Sequence, residues 1–286
     1  MNLSLVRDVL KRNRERQSIL RPPGCCVEFV EHPAPWLRSR MCVQVGIAIE
    51  HRFAFWAWMR VKAGLRKDRR TGGRIPDREF LPPDLLTMDW HDDVGGKCDF
   101  IGHELCRLNQ LDETEVGFFC WAALRPLNDG HVAPAMWLNA IGDVYVVAKQ
   151  WQDPEEHNRV FVDRYDQEHR ITYLRTPGDL VEYRDGTNGG NGIIWDIDLD
   201  YFTEAKEVPD QRYTPVLSDE AIAGLLDPEQ AWVREVLADL RGVTIALEPE
   251  YTGGMSRSLH LLEEWEKALL TAPLFDKQCA WRSVFE

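Results

Sequence analysis

The sequence lacks long hydrophobic runs. Within its 286 residues, no segment approaches the ~20 apolar residues that a membrane-spanning helix requires. The N-terminus is also unlike a signal peptide, because charged residues interrupt its short apolar stretch from Arg7 onward. We therefore expect a soluble, cytoplasmic protein without a membrane partner.

The spacing of the cysteines does not match a known metal-binding or redox motif. The 7 cysteines are scattered and none belongs to a C-x-x-C motif, so a zinc–thiolate site is not indicated. The chain has no G-x-S-x-G motif and no convincing cysteine–histidine pair, so a serine or cysteine nucleophile has no support. We expect reduced, buried thiols.

Basic residues are outnumbered by acidic ones. The chain has 34 Lys and Arg against 47 Asp and Glu, a net charge of -13, which disfavours non-specific nucleic-acid binding and is compatible with a cationic substrate. The second of two basic clusters lies in a glycine-containing segment, which we expect to be a surface loop that is merely solvated or docks an acidic peptide. The clusters are Arg7, Lys11, Arg12, Arg14 and Arg16, and then Lys62, Arg66, Lys67, Arg69, Arg70 and Arg74.

Strand-like and helix-like segments alternate along the chain. Apolar residues make up 44% of it and there are 11 tryptophans, which indicates a folded protein with a large core. This alternation predicts an α/β fold with a mostly parallel sheet covered on both faces. Strands are predicted at 25–29, 41–49, 85–88, 144–148, 193–195 and 243–247, and helices at 3–20, 50–64, 133–140, 218–226, 228–240 and 256–270, while 116–124 fits either.

The segment at about 151–190 differs in character. It is polar and rich in turns, with alternating stretches near Phe161 and Tyr173, and it is predicted to be a small antiparallel insertion. The chain has no internal repeat or low-complexity tract, and residues 1–286 are predicted to form a single domain.

Two acidic motifs each follow a predicted buried strand. They are Asp89-x-His91-x-Asp93 and Asp196-x-Asp198. Alternate side chains of an extended chain point the same way, and ligands of parallel sheets bind beyond the carboxyl ends of the strands, so these groups are predicted to converge there. Convergence requires a neutralising cation. Mixed carboxylate and imidazole ligands suit a divalent ion such as manganese, and the surplus of carboxylates suits two ions.

A histidine at the same end of the sheet offers a further ligand. His51 follows the predicted strand at 41–49 and begins a predicted helix. Its neutral imidazole could therefore complete the ligand set of the second ion, although an ordinary structural role is equally open. Two ions would lower the pKa of a water between them and so provide a hydroxide nucleophile. Asp92 and Asp200 are expected to face away from the site, as solvated or helix-capping groups.

A third acidic segment follows the predicted strand at 243–247. It carries Glu248 and Glu250 on either side of Pro249. A carboxylate in this position, with no metal left to bind, suits a planar cation such as guanidinium. Because the proline ends the strand, we expect Glu250 rather than Glu248 to project over the cleft; an acidic surface turn is the alternative.

In this chain order the motifs resemble those of the arginase (ureohydrolase) superfamily. The stretches DWHDD, IAIEHRFAFWAW and WDIDLDYF look most like its divergent branch, which includes the peptide arginases of ribosomal peptide (RiPP) natural-product pathways, and the resemblance spans roughly residues 40–255. It implies a three-layer αβα fold and a binuclear manganese centre. By this match one ion is bound by His51, Asp89, Asp93 and Asp196, and the other by Asp89, His91, Asp196 and Asp198.

The resemblance also implies a reaction, the hydrolysis of the arginine guanidinium group to ornithine and urea. Asp93 would orient the attacking hydroxide and take part in proton transfer, and Glu250 or Glu248 would hold the guanidinium. His103 and His131 are the candidates for a proton-shuttling histidine.

The substrate is expected to be an arginine within a peptide. The loops that grip the α-carboxylate and α-amine of free arginine in family members have no evident counterpart after Asp93, where the chain reads VGGKCD. These charged groups do not exist on an arginine inside a precursor peptide. The insertion at 151–190 would then form part of a peptide groove.

Three other functions stay open at this point. A ureohydrolase or amidase could act on a small guanidino or acylamino compound with the same metals. A phosphohydrolase of the haloacid dehalogenase type would use Asp196-x-Asp198, but it leaves the motif around His91 unexplained and normally has Thr or Val where this chain has Asp200. A non-catalytic protein could use the ions to stabilise its fold. The oligomeric state is not indicated.

Overall fold

Nine strands in the described part of the chain form one sheet. The structure, a computed structural model, describes residues 24–33, 42–67, 72–94, 102–124, 130–150, 158–184, 192–204, 215–274 and 279–284. The helix predicted at 3–20 lies outside the described residues. The strands are β1 (Cys26–Glu31), β2 (Cys42–Ala48), β3 (Asp84–Asp89), β4 (Val144–Ala148), β5 (Asn158–Val162), β6 (Glu168–Tyr173), β7 (Ile193–Asp198), β8 (Leu240–Ala246) and β9 (Arg282–Ser283).

The centre of the sheet is parallel, as the sequence predicted. The strand order is β5-β6-β4-β3-β7-β8-β2-β1-β9, and every pairing from β6 to β2 is parallel. Antiparallel pairing is confined to β5, β1 and β9 near the two edges. The antiparallel pair expected in the insertion forms as β5 and β6, and it extends the central sheet because β6 pairs with β4.

Helices of the described residues lie between the strands in sequence. The segment at 116–124, for which the sequence allowed either a strand or a helix, is mainly helical. Its helix begins after Asp112, whose side chain accepts hydrogen bonds from the N–H groups of Thr114 and Glu115. The helices are α1 (Ala54–Leu65), α2 (Gly102–Arg107), α3 (Glu113–Ala122), α4 (Val132–Trp137), α5 (Leu180–Arg184), α6 (Asp219–Leu225), α7 (Ala231–Ala238), α8 (Pro249–Thr252) and α9 (Met255–Leu269). None of them has the length and apolarity needed to cross a membrane.

Helices cover both faces of the sheet, which gives three layers. On one face, Leu86 of β3 packs in a cluster with Trp232 of α7 and Trp265 of α9. On the other face, Leu85 packs in a cluster with Trp56 of α1. Complete burial of each such side chain contributes roughly 1.5–3 kcal/mol. Every residue of β3 and β7 is buried, which is the pattern of central parallel strands.

The strand register brings the acidic motifs to one edge of the sheet. Thr87 of β3 is level with Asp196 of β7, and Asp196 is level with Thr244 of β8. Ala246, at the end of β8, is level with Ala48 at the end of β2. The carboxyl ends of β2, β3, β7 and β8 are therefore adjacent, and the residues that follow them face a common space.

Candidate metal centre

His51 lies at the middle of the acidic residues. Its ring is completely buried, at 0% exposure. Its Nδ1 lies 3.0 Å from Oδ2 of Asp89, 2.7 Å from Oδ2 of Asp93 and 3.4 Å from Oδ2 of Asp198. On the other side of the ring, Nε2 lies 2.7 Å from Oδ2 of Asp196. An imidazole nitrogen carries at most one proton, so this ring cannot satisfy four carboxylates.

Two of the carboxylates reach the centre through unusual backbone conformations. Asp93 has a φ of 45° and Glu248 a φ of 38°, both in the left-handed region that non-glycine residues seldom occupy. Both side chains are nevertheless buried, at 4% and 3% exposure. Backbone strain of about 1–3 kcal/mol per residue is characteristic of functional sites.

Hydroxyl groups from neighbouring strands orient Asp196. Thr87 donates a hydrogen bond of 3.0 Å to Oδ2 of Asp196, and Thr244 donates one to Oδ1. Nε1 of Trp58 in turn donates to Oγ1 of Thr244 at 3.1 Å. Thr87, Thr244 and Trp58 were not among the residues that the sequence motifs predicted for the site. The available signal was a threonine within each of two otherwise apolar strands, LLTMD and VTIA.

Glu248, rather than Glu250, faces the centre. Oε1 of Glu248 accepts a hydrogen bond of 2.5 Å from the backbone N–H of His51, whereas Glu250 is exposed in the first turn of α8. The preference for Glu250 is therefore corrected. Pro249 does end the extended chain, but the left-handed conformation of Glu248 turns its own side chain inward before the helix begins.

His91 and Asp200 form a second group beside the first. Nδ1 of His91 lies 3.6 Å from Oδ1 of Asp89 and 3.7 Å from Oδ2 of Asp200. Asp200 is 2% exposed, so the expectation that it faces away is wrong. Because β3 ends at Asp89, the strand alternation does not extend to His91, and its side chain is 41% exposed. Asp92 points elsewhere and accepts a hydrogen bond from Tyr173 at 3.1 Å.

Of the two candidate proton shuttles, His131 lies at the centre. Its ring is 0% exposed and its centroid is 4.4 Å from that of His51. Its Nδ1 lies 3.7 Å from Oδ2 of Asp93. The side chain of His103 lies outside the described residues. The proposed roles of both histidines stay predictions.

The pKa values of the buried groups reflect the concentration of negative charge in this centre. Burial, followed by the charge of Asp89, raises the pKa of Asp93 well above its ordinary value. Burial and neighbouring carboxylates likewise raise the pKa of Asp198 and of Asp200. Burial alone would lower the pKa of His51, but the charge of Asp196 and its hydrogen bond to Nε2 raise it well above its ordinary value. The buried carboxylates therefore repel one another and favour a nearby positive charge.

The residues fit divalent cations. In the described part of the chain, four buried polar atoms of the centre have no hydrogen-bond partner: Nδ1 of His51 and Oδ2 of Asp89, Asp93 and Asp200. Unpaired buried charge is costly unless a metal or counterion satisfies it. Carboxylate and imidazole ligands suit first-row divalent ions. The ligand atoms lie within 4.8 Å of one another in three sets: His51, Asp89 and Asp93; Asp89, His91 and Asp200; and His51, His131 and Asp196.

Aromatic side chains border the more exposed side of the centre. The ring of Tyr251, which is 39% exposed, lies 5.8 Å from that of His91, edge to face. Burial and the charges of Glu248 and other carboxylates raise the pKa of Tyr251. Lys149 places its Nζ 4.8 Å from the ring centroid of Tyr201. The exposed side of the centre therefore has the ring of Tyr251 beside buried carboxylates.

Comparison with known proteins adds little to this geometry. No family model matches the sequence, and no curated protein does. Among solved structures, the chain is similar to the agmatine ureohydrolase of Thermoplasma volcanium, with 14% sequence identity, coverage of 77% of this chain and 69% of that one, and a TM-score of 0.30. Similarity at this level does not identify a function, so the function is inferred from the site itself.

Proposed function

We propose that the protein is a manganese-dependent hydrolase of arginine side chains in peptides, with ornithine and urea as products. The observation that carries this proposal is the convergence of buried carboxylates on one buried histidine at the carboxyl edge of a parallel sheet. The residues proposed to hold two Mn²⁺ are His51, Asp89, His91, Asp93, Asp196 and Asp198.

Ions of this kind, when bound, supply hydroxide near neutral pH because they lower the pKa of water. In the balanced reaction, the water oxygen bonds to the guanidinium carbon and the bond from that carbon to the side-chain Nε breaks. The departing nitrogen takes up two protons, equal to the two that the water gives up, and becomes the protonated amine of ornithine. The two remaining nitrogens leave with the carbon as urea.

The position of Asp93 supports a role in the proton transfer that this reaction requires. It is buried and lies 2.7 Å from Nδ1 of His51 and 3.7 Å from Nδ1 of His131. Burial and the charge of Asp89 raise its pKa well above the ordinary value, which is consistent with a role in proton transfer. We assign the proton transfer to Asp93, with His131 as its neighbour.

Glu248 is assigned to the guanidinium group of the substrate. Its carboxylate is buried and is fixed by the N–H of His51. A guanidinium cation forms paired, charge-assisted hydrogen bonds with a carboxylate. The aromatic edge at Tyr251 supports the same substrate, because cations are attracted to aromatic rings.

The opening favours a long side chain over a small molecule that must be enclosed. His91 is 41% exposed and Tyr251 is 39% exposed, so the centre is accessible from solvent at this side. An arginine side chain can extend into such an opening while its peptide backbone stays outside. This exposure, together with the sequence VGGKCD after Asp93, supports a peptide substrate over free arginine or a small guanidino compound.

A substrate panel tests the proposal. The protein loaded with MnCl₂ is incubated with an arginine-containing peptide, with the same peptide carrying lysine instead, and with free arginine, agmatine and a phosphate monoester. We expect urea, and a peptide mass loss of CN₂H₂ per arginine, from the first peptide alone. Urea from a small substrate only would overturn the peptide assignment, and no guanidinium hydrolysis at all would overturn the function.

A further inference from the structure

We propose that Asp200 is a metal ligand, and that it binds the second ion together with Asp89 and His91. The inference rests on the proposed function only in requiring a centre with two ions. It departs from the ligand set implied by the family resemblance, in which Asp196 and Asp198 complete that ion.

Asp200 presents one oxygen to the space beside His91. It lies in the 3-10 turn Leu199–Phe202 that follows β7 and is 2% exposed. The backbone N–H of Trp90 donates a hydrogen bond of 3.0 Å to Oδ1 of Asp200 and so fixes the carboxylate. Oδ2 is buried, has no hydrogen-bond partner among the described residues, and lies 3.7 Å from Nδ1 of His91.

The spacing of the three side chains is that of ligands around one ion. Nδ1 of His91 lies 3.6 Å from Oδ1 of Asp89 and 3.7 Å from Oδ2 of Asp200, and all three ligand atoms lie within 4.8 Å of one another. Ligands bound at roughly 2.1 Å from a divalent ion are about 3–4 Å apart. These distances are too long for hydrogen bonds, so a cation explains them better than direct contact does.

Asp196 and Asp198 are directed towards His51 instead. Asp198 accepts a hydrogen bond from the N–H of Asp200 through Oδ1 at 2.9 Å, and its Oδ2 lies 3.4 Å from Nδ1 of His51. Asp196 accepts hydrogen bonds from Thr87 and Thr244 and lies 2.7 Å from Nε2 of His51. The ion pairs of His91 in the described part of the chain are with Asp89 and Asp200.

Asp89 connects the two groups through its two oxygens. Its Oδ2 lies 3.0 Å from Nδ1 of His51, and its Oδ1 lies 3.6 Å from Nδ1 of His91. A carboxylate oriented in this way would hold one ion on the His51 side and another on the His91 side. The His91 side is the more exposed one, where Tyr251 borders the centre.

The test compares Asp200→Asn with a matched control, Asp92→Asn, which changes the same charge on a carboxylate that bonds Tyr173 instead. Asparagine keeps an oxygen for the N–H of Trp90, so a purely structural role of Asp200 predicts no change in metal content. After Mn²⁺ loading and gel filtration, metal per chain is measured by plasma mass spectrometry, and coupling between the ions by electron paramagnetic resonance. Circular dichroism verifies folding.

We expect two coupled Mn²⁺ in the wild type and in Asp92→Asn, and a single uncoupled Mn²⁺ in Asp200→Asn. Should that variant not fold, Asp200→Ser, with its smaller side chain, is expected to show the same loss of one ion. Two coupled ions in either folded Asp200 variant would overturn the inference. A wild type that binds no Mn²⁺ would overturn the proposed function itself, so the two failures are distinguishable.

Discussion

Trp58 donates a hydrogen bond from its indole N–H to Oγ1 of Thr244 at 3.1 Å, although the two residues lie 186 positions apart in sequence. The hydroxyl of Thr244 in turn donates a hydrogen bond to Oδ1 of Asp196. These two hydrogen bonds connect α1, β8 and β7 and hold the Asp196 carboxylate in one orientation. The acidic motifs therefore depend on residues outside them, as ligands of metal centres generally do.

Thr244→Val is predicted to weaken metal binding. The substitution removes a hydrogen bond to Asp196 and leaves the buried indole N–H of Trp58 without its acceptor. We expect Mn²⁺ affinity to fall by about 10- to 100-fold and the free energy of unfolding to fall by about 1–3 kcal/mol. Calorimetric titration and urea denaturation measure the two effects. Thr244→Ser, which keeps the hydroxyl, is the control; an equal loss in that variant would contradict the account.

Glu248→Gln is predicted to reduce arginine hydrolysis much more than Glu250→Gln. Glu248 is buried beside His51, and Glu250 is exposed. Loss of a charge-assisted hydrogen bond, about 1.5–3 kcal/mol, lowers kcat/KM by roughly 10- to 100-fold. Loss of an exposed charge changes it by about twofold or less. Urea release from an arginine peptide provides the measurement, and a larger effect at Glu250 would refute the assignment.

Asp198→Asn is predicted to have opposite effects on the metal-free and metal-loaded protein. Burial, and then the charges of Asp200 and Asp89, raise the pKa of Asp198, so ionisation of this group at pH 8 destabilises the metal-free fold. The asparagine side chain of the variant does not ionise, so the variant lacks this destabilisation. We expect the variant with EDTA to unfold about 2–4 °C above the wild type, and excess Mn²⁺ to raise its Tm less than that of the wild type.

Scanning calorimetry with EDTA and with MnCl₂ gives both values. A variant that is less stable than the wild type without metal, yet gains as much from Mn²⁺, would show that Asp198 neither repels its neighbours nor contacts an ion. Asp92→Asn is again the control, and its Mn²⁺-dependent gain in Tm should equal that of the wild type.

The stability of the metal-free protein should depend on Asp84, which lies at the opposite end of β3 from Asp89. Burial raises the pKa of Asp84 to about 7, against the opposing charge of Arg184. A carboxyl with a raised pKa stabilises the fold fully below its unfolded pKa, and this contribution is lost as the pH rises through about 7. Asp84→Asn should therefore exceed the wild type in stability at pH 8, by up to roughly 4 kcal/mol, with the difference vanishing near pH 4.

Urea denaturation in EDTA between pH 4 and pH 8 measures this difference. Because the residues of the metal centre titrate in both proteins, the comparison between variant and wild type isolates Asp84. A difference in stability that stays constant across the range would contradict the raised pKa.

The sequence pattern was sufficient to predict the parallel sheet and the grouping of several residues of the centre. Strands such as β3 and β7 are continuous apolar runs because both their faces are covered. Their carboxyl ends must then meet, which explains why Asp89, Asp196 and His51 could be grouped from positions far apart in the sequence.

The remaining details depended on backbone conformations that residue types do not reveal. Nothing in the sequence indicates that Glu248 adopts a left-handed φ of 38°, and this conformation decides which glutamate points inward. The alternation rule also failed beyond Asp89, because the strand ends there. It therefore could not show that His91 lies towards the exposed side of the centre or that the turn after β7 directs Asp200 inward.

Anomalous diffraction at the manganese absorption edge tests the central claim most directly, that these carboxylates and histidines hold divalent ions. Crystals soaked in MnCl₂ should show two peaks about 3.5–4 Å apart on either side of Asp89. One peak should lie beside His51 and Asp93, and the other beside His91. An absence of any peak, with the carboxylates of Asp89, Asp93 and Asp196 turned away from one another, would contradict the account.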